Sequence, residues 1–145
     1  MSVLIIGDTP GDSTDPLDAL GTRTAGSGRR LRELMGLDED SYQALQRVNA
    51  HHDGQESLTR ESAQARLQRL LGELHRGSLV IVMGGAAQRT LGGDLVSGRP
   101  VVRDGLTILP IPHTSGRNRV WNDPLNRQSY QDLLRSELAK ALPAQ

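Results

Sequence analysis

Two short apolar runs, each stopped by glycine, restrict what this chain can fold into more than any other feature. Val3-Leu4-Ile5-Ile6 ends in Gly7, and Leu79-Val80-Ile81-Val82-Met83 ends in Gly84-Gly85. Neither run alternates apolar with polar residues, so each must be covered on both faces, as strands of a parallel sheet are. Elsewhere the period is helical. Leu31, Leu34 and Met35 fall on one face, with Gly36 placed to end that helix. Ala63, Leu67, Leu70, Leu71 and Leu74 keep a three-four spacing, and Gly77 follows as a stop. Residues 86–91 read as a short helix. Val101-Val102 and the run from Leu106 to Ile111 flank Arg103-Asp104-Gly105, whose Asp-Gly pair signals a tight turn. A last helix starts at Asp123 and Pro124, and Tyr130, Leu133, Leu134, Leu138, Ala141 and Leu142 make its apolar stripe. Residues 49–56, polar and rich in histidine, read as a loop. Strands alternating with helices in this way predict an α/β sandwich with a mostly parallel sheet.

At 145 residues the chain is long enough for one core and too short for two, so residues 1–145 are expected to form a single domain. It has no cysteine, which removes disulfides and thiolate zinc sites. The apolar stretch at residues 1–6 is too brief for a signal peptide, and no segment approaches a membrane span; a soluble, cytoplasmic protein is expected. The formal charge is zero, which argues against a surface that coats nucleic acid indiscriminately. The charges are nonetheless segregated. Asp8, Asp12, Asp15 and Asp18 come without a basic partner, and Arg23, Arg29, Arg30 and Arg32 follow without an acid. There is no phenylalanine, so the core must be built from Leu, Val, Ile and Ala, and few rings are available to stack on a base.

In open α/β sheets ligands bind beyond the carboxyl ends of the strands. The loops at 7–11, 49–52, 84–88 and 113–118 all fall there. The richest of them begins at His113 and runs through Ser115, Arg117, Asn118 and Arg119 to Trp121, the only tryptophan. A mere connection needs little beyond turn residues; this loop is equipped to touch something polar and negatively charged. Gly7-Asp8-Thr9-Pro10-Gly11 is either a plain turn or a rigid ledge that fixes Asp8 or Thr9 against a ligand and a water. It is neither a phosphate loop nor a GxGxxG fingerprint. Gly84-Gly85-Ala86 either opens a helix towards an anion or brings helix and sheet close together. His51 and His52 are adjacent and point apart with only Asp53 nearby, and His75 suits a helix C-terminus, so no metal site is expected. Ser115 lies two residues from His113 with no Gly-x-Ser-x-Gly elbow, which argues against a hydrolytic triad.

Four segments in order carry a resemblance. Gly7-Asp8-Thr9-Pro10-Gly11 is similar to a Gly-x-x-Pro-Gly loop. The stretch from Gly21 through Arg23, Gly26 and Gly28 to Leu31 is similar to a Gly-Arg…Gly-x-x-Gly-x-x-Leu segment. Arg47-Val48-Asn49 puts an asparagine after a short strand, and His113-Thr114-Ser115 is similar to His-Pro-Ser. Together they resemble the uracil-DNA glycosylase superfamily. The departures are Thr114 for proline, Thr9 where many branches have Asp or Asn, and no aromatic after Arg23. Thr24 and Ala25 imply a smaller, less aromatic pocket wall with room for a bulkier, modified base.

The resemblance implies a three-layer α/β/α sandwich around a central, mostly parallel four-stranded sheet. It implies hydrolysis of the N-glycosidic bond of a flipped uracil or modified pyrimidine in single- or double-stranded DNA, by a monomer with no metal or organic cofactor. His113 would donate to the base oxygen. Asp8 would hold water or stabilise the sugar cation, with Thr9 assisting. Gly7, Pro10 and Gly11 would form the ledge, and Asn49 would read the base edge beside Ser115. Arg23, Arg117, Asn118 and Arg119 would contact DNA, and Trp121 would be either a packing anchor under the loop or an intercalating element. Two alternatives remain: a hydrolase of free nucleosides or nucleotides, and a non-catalytic base-binding module of the same fold.

Overall fold

The two apolar runs lie side by side. β1 (Val3–Gly7) and β5 (Leu79–Met83) pair in parallel at the centre of a seven-stranded sheet. The computed structural model of the protein describes residues 2–7, 27–53, 56–114 and 118–141. On one side β1 is joined by β2 (Gln46–Asn49), and on the other β5 is joined by β7 (Leu106–Ile111), both in parallel. Those four strands match the expected parallel centre. The sheet, however, is larger than four strands. β3 (His52–Asp53) and β4 (Glu56–Ser57) extend it beyond β2, and β6 (Val101–Arg103) extends it beyond β7, all as antiparallel pairings. The full order is β4-β3-β2-β1-β5-β7-β6. The stretch expected to be a loop at 49–56 therefore holds the end of β2, all of β3 and the start of β4, with a turn at 50–51 between β2 and β3. Two-residue polar strands carry no periodicity that a sequence pattern could reveal.

Each central strand sorts its side chains by parity. Val3, Ile5, Leu79, Ile81, Met83, Leu109 and Ile111 face one layer. Leu4, Ile6, Val80, Val82, Leu106 and Ile108 face the other. The first layer is α1 (Ser27–Met35), α2 (Glu39–Gln43) and α5 (Pro124–Ala141), which contribute Leu31, Leu34, Met35, Tyr42, Leu134, Leu138 and Ala141. The second is α3 (Arg60–Gly72) and α4 (Gly85–Leu91), which contribute Leu67, Ala87 and Leu91. The result is a three-layer sandwich, with β1 and β5 buried on both faces as their unbroken apolar composition requires.

Local chemistry sets the element ends. Thr59 caps α3 by accepting from the Ser62 amide at 3.1 Å, and Asp38 caps α2 by accepting from the Ser41 amide at 2.7 Å. Asp123 Oδ1 accepts from the Leu125 amide at 2.9 Å at the start of α5. α3 closes at Gly72, not at Gly77, and Leu74 packs from the turn that follows. Asp104 and Gly105 both hold positive φ, 51° and 79°, which makes the tight β6–β7 hairpin their sequence announces. Arg135 of α5 donates from Nε to the Leu34 carbonyl at 3.1 Å and from Nη2 to the Glu33 carbonyl at 3.2 Å, and so closes the end of α1. Among the described residues no helix is long and apolar enough to cross a membrane.

Candidate functional site

The four parallel strands end together on one edge. Gly7 stands opposite Asn49 in the β1–β2 register, and the Ala50 amide donates to the Gly7 carbonyl at 2.8 Å. β5 and β7 end at Met83 and Ile111, which are also register partners. Chain ends from three distant parts of the sequence thus share an edge: Gly7, Asn49 and the segment that carries His113. Asn49 and His113 are not neighbours on it. β1 and β5 lie between their strands, so about 14 Å of sheet separates the two, at roughly 4.8 Å per strand. Asp8, Thr9, Pro10, Gly11, Arg23, Ser115 and Arg117 lie outside the described residues.

His113 is held through its backbone. Its carbonyl oxygen accepts two hydrogen bonds, one from Asn118 Nδ2 and one from Trp121 Nε1, both at 2.8 Å. Two positions upstream, the Ile111 carbonyl accepts from the Gly84 amide at 2.9 Å and from Gln88 Nε2 at 3.0 Å. Both carbonyls flanking Pro112 are therefore doubly bonded, and each pair of donors comes from a different segment. The ring has its own neighbour. Gly84 adopts φ +86°, and a Cβ built there would stand 3.2 Å from His113 Cβ and 3.6 Å from its Cδ2. Only glycine combines that backbone with that clearance. Thr114, where the motif it resembles has proline, is fully buried and donates from Oγ1 to Met83 Sδ at 3.5 Å.

Trp121 lies in a short 3₁₀ turn, Arg119–Asn122, that precedes α5. Its indole is 1% exposed and meets the Tyr130 ring edge-on, with centroids 5.3 Å apart. Burial raises the Tyr130 hydroxyl above its ordinary range. Of the two roles expected for Trp121, the geometry is that of the packing anchor; a buried indole has no face to insert between bases. Asn118 also departs from expectation. Its Nδ2 donates to the His113 carbonyl and its Oδ1 accepts from the Val120 amide at 3.2 Å, so the amide braces the loop from both ends. Arg119 is exposed.

Asn49 is buried, and its backbone is fixed from α3. Arg66 Nη1 donates to the Asn49 carbonyl at 2.9 Å and to the His52 carbonyl at 2.7 Å, which holds the turn between β2 and β3. In that turn His51 Nε2 lies 2.8 Å from Thr90 Oγ1, whose hydroxyl donates to the Ala86 carbonyl at 3.0 Å. With that hydroxyl hydrogen committed, His51 is the donor of the pair. Among the described residues no three histidines or acids gather as metal ligands would. Gln88, Gly84 and Arg66 were not singled out as site residues by their sequence. The Gly84-Gly85 pair signals a special backbone but not what it faces, and a lone glutamine or arginine on a helix carries no signal at all.

Comparison with known proteins bears on what these residues are for. A family model described as the uracil DNA glycosylase superfamily matches residues 1–138. No match was found among the curated proteins.

Proposed function

The chain belongs to the uracil-DNA glycosylase superfamily, whose function is of the DNA glycosylase type, and from this we propose that it hydrolyses the N-glycosidic bond of a flipped uracil or modified pyrimidine. The observation that carries the proposal is the double clamp on the backbone either side of Pro112. Breaking the C1′–N bond leaves its electron pair on the departing base and cationic character on the sugar. Water then bonds to C1′, and one of its protons finishes on the base. A hydrogen-bond donor fixed in advance against the base oxygen lowers that barrier, because it need not reorganise as charge develops. His113 is the donor in this scheme, with its backbone locked and its ring backed by Gly84.

The other roles follow from the motifs. Asp8 positions water or stabilises the sugar cation and Thr9 assists, on a ledge formed by Gly7, Pro10 and Gly11. Asn49 presents an amide donor and acceptor suited to a pyrimidine edge. Arg23, Arg117 and Arg119 contact phosphates beside Ser115, while Asn118 and Trp121 act from behind by holding His113. The residues around His113 supply hydrogen bonding and position, and the scheme routes no step through a metal or organic cofactor.

Single-turnover excision tests the assignment on oligonucleotides carrying a panel of bases, single-stranded and duplex. His113→Ala is expected to slow excision about 10²-fold or more, the order of one preorganised oxyanion donor. Asp8→Asn is expected to slow the chemical step as well. Full activity in both variants refutes the roles. A parent protein that excises no base but binds the oligonucleotides is a non-catalytic base-binding module instead.

A further inference from the structure

A cleft lies on the same edge, on the α3–α4 side of the sheet. β3 is antiparallel to β2 and β4 is antiparallel to β3, so β4 ends on the carboxyl edge, and α3 begins there with Arg60. α4 begins there too, at Gly85. Between them is a cleft of about 430 Å³ lined by Arg60, Gly85, Arg89, Gly93 and Asp94, among others. Among the described residues its charge is not balanced. Arg60 and Arg89 are exposed, and neither guanidinium makes a hydrogen bond or ion pair with a described residue. Arg89 folds back over the cleft wall: a Cβ on Gly85 would meet its Nη1 at 2.9 Å. Behind the wall a third guanidinium adds to the charge. Arg103 donates from Nη1 to the Gly92 carbonyl and from Nη2 to the Gly93 carbonyl, both at 2.8 Å, with carbonyl oxygens rather than a carboxylate as partners. Among the described residues Asp94 is the one acid lining the cleft, against two arginines in it and one beneath it.

We propose that this cleft binds a phosphodiester of a polynucleotide strand, held between the Arg60 and Arg89 guanidiniums. Guanidinium forks match phosphate oxygens, and an unbalanced positive cleft on a molecule of zero net charge concentrates anions locally. Gly85 adjoins Gly84, which backs the His113 ring, so the cleft and the candidate site share a wall. The inference rests on the proposed function only for the kind of anion.

The test is binding, measured without reference to excision. Fluorescence anisotropy of a labelled oligonucleotide across a salt series gives the slope of log affinity against log salt. Replacing both arginines (Arg60→Gln with Arg89→Gln) is expected to weaken binding and reduce the slope by roughly 0.7 on single strands or 0.9 on duplex, the value of one phosphate contact. Replacing both with lysine should restore most of the slope, because counterion release follows charge. A glutamine variant that melts with the parent and keeps its slope and affinity overturns the proposal, even if the parent excises bases. Arginine-dependent binding by a parent that excises nothing supports it while refuting the glycosylase reading. Competition with a deoxynucleoside 5′-monophosphate separates the sources: if the monophosphate binds the parent as tightly as the oligonucleotide does, a free nucleotide is the ligand and the strand assignment falls.

Discussion

At the scale of the residue, Gly84 is constrained by its backbone and by its neighbour at once. Its backbone lies where L side chains are strained, and the space above it is taken by His113. Gly84→Ala is expected to cost about 1–3 kcal/mol from the backbone alone, and also to push the imidazole off its place. Gly92 separates the two effects. It holds nearly the same backbone, φ +84° and ψ 175°, with nothing within 4 Å of where a Cβ would stand. Melting temperatures of the two alanine variants should fall together, whereas single-turnover excision should fall further for Gly84→Ala. Equal losses of rate would mean that His113 is indifferent to its neighbour. This is also where sequence reasoning stopped short. His113, Asn49 and the edge they share could be read from strand ends and motifs. That Asn118 and Trp121 turn inward could not, because a polar loop beside a strand looks the same whether its side chains face a ligand or their own backbone.

At the scale of the element, legibility followed length. The five-residue apolar strands and the Asp-Gly hairpin turn announce themselves, and β3 and β4 do not. What holds the short elements is capping, and capping by a carboxylate depends on pH. The Asp38 carboxyl is lowered from its ordinary value of 3.8, first by the Ser41 backbone amide, then by the Ser41 hydroxyl and Arg32. A carboxyl lowered in the folded state stabilises the fold above its unfolded value and loses that contribution as pH falls through the folded one. Asp38→Ala should therefore melt below the parent at neutral pH, and the gap should narrow only once the pH drops under about 4. A gap that stays constant down to pH 2 would mean that the charge of the cap contributes nothing.

At the scale of the whole molecule, the sheet is unequal from centre to rim. β1, β5 and β7 have neighbours on both sides and side chains packed into both layers, whereas β3 and β4 are two residues long and lie at an edge. Amide hydrogen exchange should accordingly be slowest in the three inner strands and fastest, among strands, in β3 and β4; equal protection across the sheet would contradict this gradient. One side chain also crosses that plan from end to end. The Arg135 guanidinium closes α1 from 101 residues further along the chain. The Gly36 and Leu37 amides close α1 locally on the Glu33 and Arg32 carbonyls, and the last helix completes it at the Leu34 carbonyl, which during synthesis is left to water until that segment has been made. Any truncation that removes α5 reaches back to α1 and takes from it two donors and the apolar face it packs on.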